Sequence, residues 1–316
     1  MITSSDLGGL MAMMPCFATD DAADYRATNT ISLERLEKGL NRMISDGANV
    51  VAVAGSFGEF HTLLPEELET LAHASADIAA NRVPLFLGTT ALNTREAYRK
   101  LEMVAKTKAV GVLMGVPFYF PSSLPNAIRF YRDLGEAFPK LGIMIYHNPP
   151  LHNVKLTVET LAEIAKIPNV VAMKDSHREP IEFMRLNEKI KGKISVFVNQ
   201  TQYTSYQPLG AAGFWSIDAW MGPWPQLALR DAVKRGDTAL AKAISLEIGP
   251  QSSNPPNLSW RETASKLAVK YAGYVDPGPL RPPFVEIPKE VDEVMRKKAE
   301  RWKTICQKYR PAQAAE

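Results

Sequence analysis

The sequence predicts an α/β chain folded as a (β/α)8 barrel with a C-terminal helical extension, and three observations carry that prediction. Eight short apolar runs recur along residues 8–235. A longer amphipathic stretch follows each of them. From residue 236 the strand-like runs stop and only helical patterns remain. The runs are Leu10–Met14, Val50–Ala54, Pro84–Gly88, Val110–Met114, Gly142–Tyr146, Val170–Met173, Ile194–Val198 and Gly213–Ile217. Each is rich in Val, Ile, Leu, Met or Phe and shows little polar alternation. Strands buried on both faces read this way, as in a parallel sheet under helices. An open doubly wound sheet is the structural alternative for the same alternation. At about 150 residues per domain the 316-residue length suggests two domains, but barrels of about 250 residues form one. The expected organisation is a catalytic barrel over 8–235 and a helical extension over 236–316 packed on it.

The helices carry recognisable starts and stops. Leu64-Pro65-Glu66-Glu67 puts proline and two acids into a first turn, where a missing N–H is harmless and the helix dipole favours negative charge. Asn93 stands three residues before Glu96, the spacing of a capping box. Thr157 is placed to cap a helix over Val158–Lys166, and Pro168 follows closely. After Arg235-Gly236-Asp237 the patterns predict helices near Thr238–Ile248, Ser259–Tyr271 and Lys289–Tyr309, separated by proline-rich joints at Pro255-Pro256 and Pro277–Pro283.

Composition excludes several function classes. Thirty-seven basic against 34 acidic residues leave a formal charge of +3, too small for a nucleic-acid binder held by a broad basic face. Cys16 and Cys306 are expected to be free thiols in a reducing compartment, and two cysteines without a histidine cluster build no thiolate zinc site. The five histidines show no metal-ligand spacing, so no metal is expected. No apolar run reaches the roughly 18 residues of a membrane span, and no basic segment precedes the apolar start as in a signal peptide. The expectation is a soluble, cytoplasmic protein. No Gly-x-Ser-x-Gly elbow and no Gly-x-Gly-x-x-Gly after the first strand occur, which disfavours a hydrolase and a dinucleotide fold.

In such a barrel the active site lies at the C-terminal strand ends. Strand two ends in Gly55-Ser56-Phe57-Gly58-Glu59, strand five in Tyr146-His147-Asn148-Pro149, strand six in Lys174-Asp175-Ser176, and strand eight carries Trp215 and Ser216. Two readings fit Lys174. Desolvated at the strand end, it is an amine able to attack a carbonyl; otherwise it snorkels to solvent or pairs with Asp175. Tyr146 either moves a proton at the same mouth or packs its ring and satisfies its hydroxyl. The glycine-flanked Ser56 either offers an hydroxyl and backbone N–H groups to an anion or marks only a turn. His147 reads as structural.

Taken in order, these strand ends resemble the pyruvate-dependent class I aldolases of the N-acetylneuraminate lyase and dihydrodipicolinate synthase family. The likeness runs from about Gly8 to Phe284. It rests on Gly55–Glu59 after strand two, Tyr146–Pro149 after strand five and Lys174–Ser176 after strand six. Pro150-Leu151-His152 stands where the synthases usually keep an arginine, which puts lysine biosynthesis in doubt, and Phe57 replaces the second hydroxyl of the usual turn. Arg26–Thr30, Gly88–Glu96, Phe214-Trp215-Ser216 and Gly278–Pro283 are similar to a smaller group, the benzylidenepyruvate hydratase-aldolases of aromatic catabolism.

The resemblance implies a TIM barrel, a Schiff base on Lys174 and a proton relay through Tyr146. It implies a pyruvoyl carboxylate held at Gly55, Ser56 and the Phe57 backbone, with Ser176 beside it. Trp215 would wall the aryl pocket, its alternative being barrel packing; Phe118 and Tyr119 are further aryl contacts. Arg261 falls where the group keeps an asparagine. It would read an acidic ring substituent, or else lie on a helix surface. No cofactor is implied beyond the covalent lysine imine. The partners implied are a small-molecule 2-keto acid, pyruvate and an aromatic aldehyde, in a homotetramer. The rival readings are a lyase of the same family acting on a sugar-derived 2-keto acid, served by Asn199–Gln202, a 4-hydroxy-tetrahydrodipicolinate synthase, and a non-catalytic protein on the same barrel.

Overall fold

Eight strands pair in chain order and close into a barrel: β1 (Gly9–Met13), β2 (Val50–Val53), β3 (Leu85–Gly88), β4 (Gly111–Met114), β5 (Gly142–Tyr146), β6 (Val170–Lys174), β7 (Ser195–Asn199) and β8 (Gly213–Ser216). A ring in chain order rules out the doubly wound sheet, whose strand order must reverse. The computed structural model describes residues 1–249 and 258–311, with the backbone alone over 258–262. Every residue of β2 to β6 is buried, which is why these runs carry no polar alternation.

The helices are α1 (Leu33–Asp46), α2 (Pro65–Ala79), α3 (Thr94–Val104), α4 (Leu124–Ala137), α5 (Pro149–His152), α6 (Val158–Ile164), α7 (Pro180–Ile190), α8 (Tyr203–Tyr206), α9 (Trp224–Lys234), α10 (Thr238–Ile248), α11 (Leu258–Ala272) and α12 (Lys289–Tyr309). The caps are built as the sequence suggests. Pro65 opens α2. Asn93 Oδ1 accepts the Glu96 N–H at 3.0 Å, and Thr157 Oγ1 accepts the Thr160 N–H at 3.2 Å.

The register of β5 on β6 has a consequence for the site. Ile143 pairs with Val170, but Met144 pairs with Ala172, so Val171 is an extra residue on β6. A continuous register would set Tyr146 beside Met173. The bulge sets it beside Lys174 instead. Since side chains alternate between faces, a one-residue slip decides which side chains share a face.

By internal contacts the chain forms two compact units. One comprises Met1–Met11, Asn49–Ala52 and Pro84–Trp215, and the other Ala12–Ala48, Val53–Val83 and Ser216–Glu316. Within the second, α11 and α12 pack on each other, and α12 packs on α9 and α10. Trp302 of α12 is fully buried there and donates from Nε1 to the Gly222 carbonyl at 3.0 Å. Among the described residues no helix is long and apolar enough to cross a membrane.

Candidate active site

Lys174 is the last residue of β6, and it is only 7% exposed. Its Nζ lies 4.2 Å from the centroid of the Tyr146 ring and 4.0 Å from that of Trp215. A cation at that position faces two aromatic π-clouds in a largely desolvated setting. The neighbouring Asp175 does not pair with it, because successive strand residues point to opposite faces. Trp215 Nε1 is buried with no hydrogen-bond partner among the described residues. An unsatisfied buried donor is costly, so this N–H is a ready donor for a bound molecule.

The phenol of Tyr146 is set by its own turn. Asn148 Nδ2 donates to Tyr146 Oη at 3.3 Å. His152, on α5, meets the ring edge-on with centroids 5.0 Å apart. Gly115 leaves room for that imidazole: a Cβ there would sit 2.3 Å from His152 Cε1. Burial, with smaller contributions from His147 and Lys174, pushes the His152 pKa down to about 4, so its ring is neutral at physiological pH.

Behind these two residues lies a buried polar network. His147 Nδ1 is 2.9 Å from Asp175 Oδ1, and each side chain is 1% exposed. His147 Nε2 accepts the Leu156 N–H at 3.1 Å. Arg178 donates from Nε to Asp175 Oδ2 at 2.7 Å, from Nη2 to the Leu156 carbonyl at 2.6 Å and from Nη1 to Glu182 Oε1 at 2.6 Å. Burial by itself would raise the Asp175 pKa. His147, the Arg178 guanidinium and the His177 N–H outweigh it and hold the carboxyl below the usual range.

The turn after β2 belongs to the other unit. Gly55 and Phe57 are buried and Ser56 is half-buried. Gly58 answers a close approach, since a Cβ would lie 2.9 Å from the Ala54 nitrogen and 3.0 Å from the Met14 carbonyl oxygen. Glu59 sits in the left-handed region at φ 55°. Its buried carboxylate binds Lys266 Nζ at 2.5 Å and Arg281 at 3.1 Å. Arg281 also donates to Thr30 Oγ1 and to the Thr30 carbonyl, and Thr30 in turn donates to Glu67. Burial drives the Lys266 pKa down while Glu59 opposes it. Burial also pushes the nearby Cys16 thiol up to about 11, which leaves it inert as a nucleophile.

The remaining sequence candidates fall as follows. Ser176 is half-buried, and its carbonyl accepts from Gln202 Nε2 at 3.4 Å. Tyr119 is 73% exposed. Arg261 lies on α11, and its side chain is outside the described residues. Sequence reasoning did not single out Asn148, His152, Asp175 or Arg178, nor the Glu59–Lys266–Arg281 cluster. Strand alternation was the available signal for His147 and Asp175: each follows an inward-facing residue and so faces outward.

The profile of the dihydrodipicolinate synthetase family matches residues 18–301. The chain belongs to this family. A trans-o-hydroxybenzylidenepyruvate hydratase-aldolase of Pseudomonas putida is 33% identical, over 98% of this chain and 96% of its own. Another member, a trans-2'-carboxybenzalpyruvate hydratase-aldolase of Nocardioides sp. (strain KP7), is 26% identical, over 98% of this chain and 96% of its own. Among solved structures, PhdJ bound to a substrate intermediate superposes with a TM-score of 0.92 at 25% identity, covering 98% of this chain and 99% of that one. The 4-hydroxy-tetrahydrodipicolinate synthase of Methylacidiphilum fumariolicum SolV gives 0.85 at 22% identity, a likeness of fold.

Proposed function

We propose that the protein is a Schiff-base hydratase-aldolase, a carbon–carbon lyase that converts an aryl-substituted 2-oxobut-3-enoate into an aromatic aldehyde and pyruvate. The observation that carries this reading is the Lys174 amine held at a strand end between the rings of Tyr146 and Trp215. The named activities of its relatives support it.

The Lys174 amine attacks the 2-keto carbon, and the carbinolamine loses water to give an iminium. The iminium withdraws electrons through the conjugated alkene, so water adds at the aryl-bearing carbon C4, and the resulting enamine takes a proton at C3, which restores the iminium. Loss of that hydroxyl's proton then breaks the C3–C4 bond, releases the aldehyde and leaves the enamine of pyruvate. Protonation at C3 and hydrolysis free pyruvate and the amine. Tyr146 carries protons in these steps. The lysine adduct is the electron sink, so no metal or nucleotide enters. In this reading Gly55, Ser56 and the Phe57 backbone bind the substrate carboxylate, and Ser176 is a further binding residue. Trp215 contacts the aryl group. The reading further implies a homotetramer in the cytoplasm, and light scattering tests the oligomer.

One observation weighs against the sugar-acid alternative. Three of the four polar residues at the end of β7 bond within their own turn: Asn199 Oδ1 accepts from the Thr201 N–H at 3.0 Å and hydroxyl at 2.8 Å, and Gln202 Oε1 accepts the Asn199 N–H at 3.1 Å. They are poorly placed to receive a hydroxylated tail.

Borohydride trapping with pyruvate, followed by peptide mass spectrometry, tests the mechanism. A reduced pyruvyl adduct on Lys174 is expected, and its absence from folded protein removes the Schiff-base chemistry. Condensation of pyruvate with a panel of aromatic aldehydes then identifies the aryl group. Arg261→Ala should shift the preference between carboxylated and uncarboxylated benzylidenepyruvates if Arg261 reads the ring.

A further inference from the structure

We propose that His147, Asp175 and Arg178 form a positioning device that sets the Tyr146 phenol relative to the Lys174 amine. The inference rests on the Schiff-base reading of these two residues. Tyr146 and Lys174 are register partners on β5 and β6. The next residue on each strand must face the opposite way, and those two residues are His147 and Asp175. Their side chains meet at 2.9 Å, while the His147 N–H donates to the Lys174 carbonyl at 3.0 Å. The pair is thus a second link between the two strand ends, made by side chains, one residue beyond the reacting groups.

The network has one arrangement. Because His147 Nε2 accepts the Leu156 N–H, a neutral ring carries its proton on Nδ1, which lies 2.9 Å from Asp175 Oδ1 without the alignment of a hydrogen bond. Asp175 Oδ1 accepts the His177 N–H, and its other oxygen accepts from Arg178. The Arg178 carbonyl is itself held by the Tyr206 hydroxyl at 2.7 Å. Glu182 closes the chain of charges and binds Lys155 at the surface at 2.7 Å. Arg178, Asp175 and the Leu156–His147 Nε2 bond hold these buried groups closely, and a displacement would strand them. That hold is passed through one peptide bond to Tyr146 and through another to Lys174. Proton transfer needs this: displacements of about 1 Å at a reacting pair cost about 100-fold in rate.

The test uses the whole enzyme and pyruvate alone. Borohydride labelling of Lys174 reads imine formation. Exchange of the pyruvate methyl protons in D2O reads the proton step, in which the enamine takes a deuteron at C3. An adduct on the parent enzyme establishes the underlying reading first; its absence is a failure of that reading, separate from this one. With His147→Ala, measured well below its melting temperature, labelling is expected to reach the parent level while exchange falls about 10–100-fold. His147→Gln carries both a donor and an acceptor and is expected to restore exchange to within about threefold, with an unchanged pH profile. Arg178→Lys keeps the charge and loses the fork; its expected result is parental labelling with slowed exchange, and it carries the test if the alanine variant does not fold. Parental exchange in His147→Ala, or in Arg178→Lys, makes the network a stabiliser only and overturns the proposal. A glutamine variant as slow as the alanine one, with a shifted pH profile, overturns it too, since the imidazole would then take part in proton transfer.

Discussion

Lys174 Nζ stands between the faces of the Tyr146 and Trp215 rings in a largely buried setting. An iminium formed on that nitrogen would be a cation between two π-clouds, which favour it. In the proposed mechanism Tyr146 moves the protons. Tyr146→Phe keeps the ring and removes the hydroxyl, so pyruvate should still label Lys174 while methyl-proton exchange falls at least about 100-fold. Trp215→Leu removes the proposed aryl wall and an indole N–H with no partner among the described residues. Steady-state kinetics should show a loss of about 1–2 kcal/mol in kcat/KM for an arylidene substrate, with pyruvate labelling little changed. Lys174 and Tyr146 were legible in the sequence because each ends an apolar run. The contacts around Tyr146 were not: His152 reaches its ring through a helical turn of four residues whose fold no apolar pattern announces.

At the level of elements, burial on both faces made the strands readable. All eight observed strands lie within a residue of their sequence-read positions at both ends, since a fully buried strand has a compositional signature. The extra residue Val171 had no such signature, because Val170-Val171-Ala172-Met173 is uniformly apolar and any register would bury it equally. The turn after β2 is held from far along the chain. Glu59 meets Lys266 of α11 and Arg281 of the proline-rich joint, separated from it by 207 and 222 residues. Two acids and two bases, Glu59, Glu67, Lys266 and Arg281, balance there. Glu59→Gln leaves one positive charge uncompensated in a buried site and should lower stability by about 3–5 kcal/mol in urea denaturation. The double variant Glu59→Gln/Lys266→Met restores the balance and should be more stable than Glu59→Gln alone, a non-additivity expected of groups in one network. Equal stability of the two would mean that charge balance is not what holds the turn.

For the whole molecule, the buried titratable groups set the response to acid. His152 has a folded-state pKa of about 4 against an ordinary value of 6.5. Between those values the unfolded chain binds the proton and the folded chain does not, so stability rises with pH across this window. The contribution is complete above about pH 6.5 and is lost as pH falls toward 4; the shift corresponds to about 3 kcal/mol. Asp175 acts in the same direction at lower pH, since its depressed pKa means the native network loses its carboxylate only in stronger acid. Urea midpoints should therefore fall steadily between pH 6.5 and 4.5. His152→Gln has nothing to titrate at that position. It should start from a lower midpoint at pH 7, having lost the packing against Tyr146 and Gly115, yet decline less on acidification. The two curves converging toward pH 4.5 would locate the acid sensitivity at His152. Parallel curves would move it elsewhere, with the His147–Asp175 pair the next group to vary.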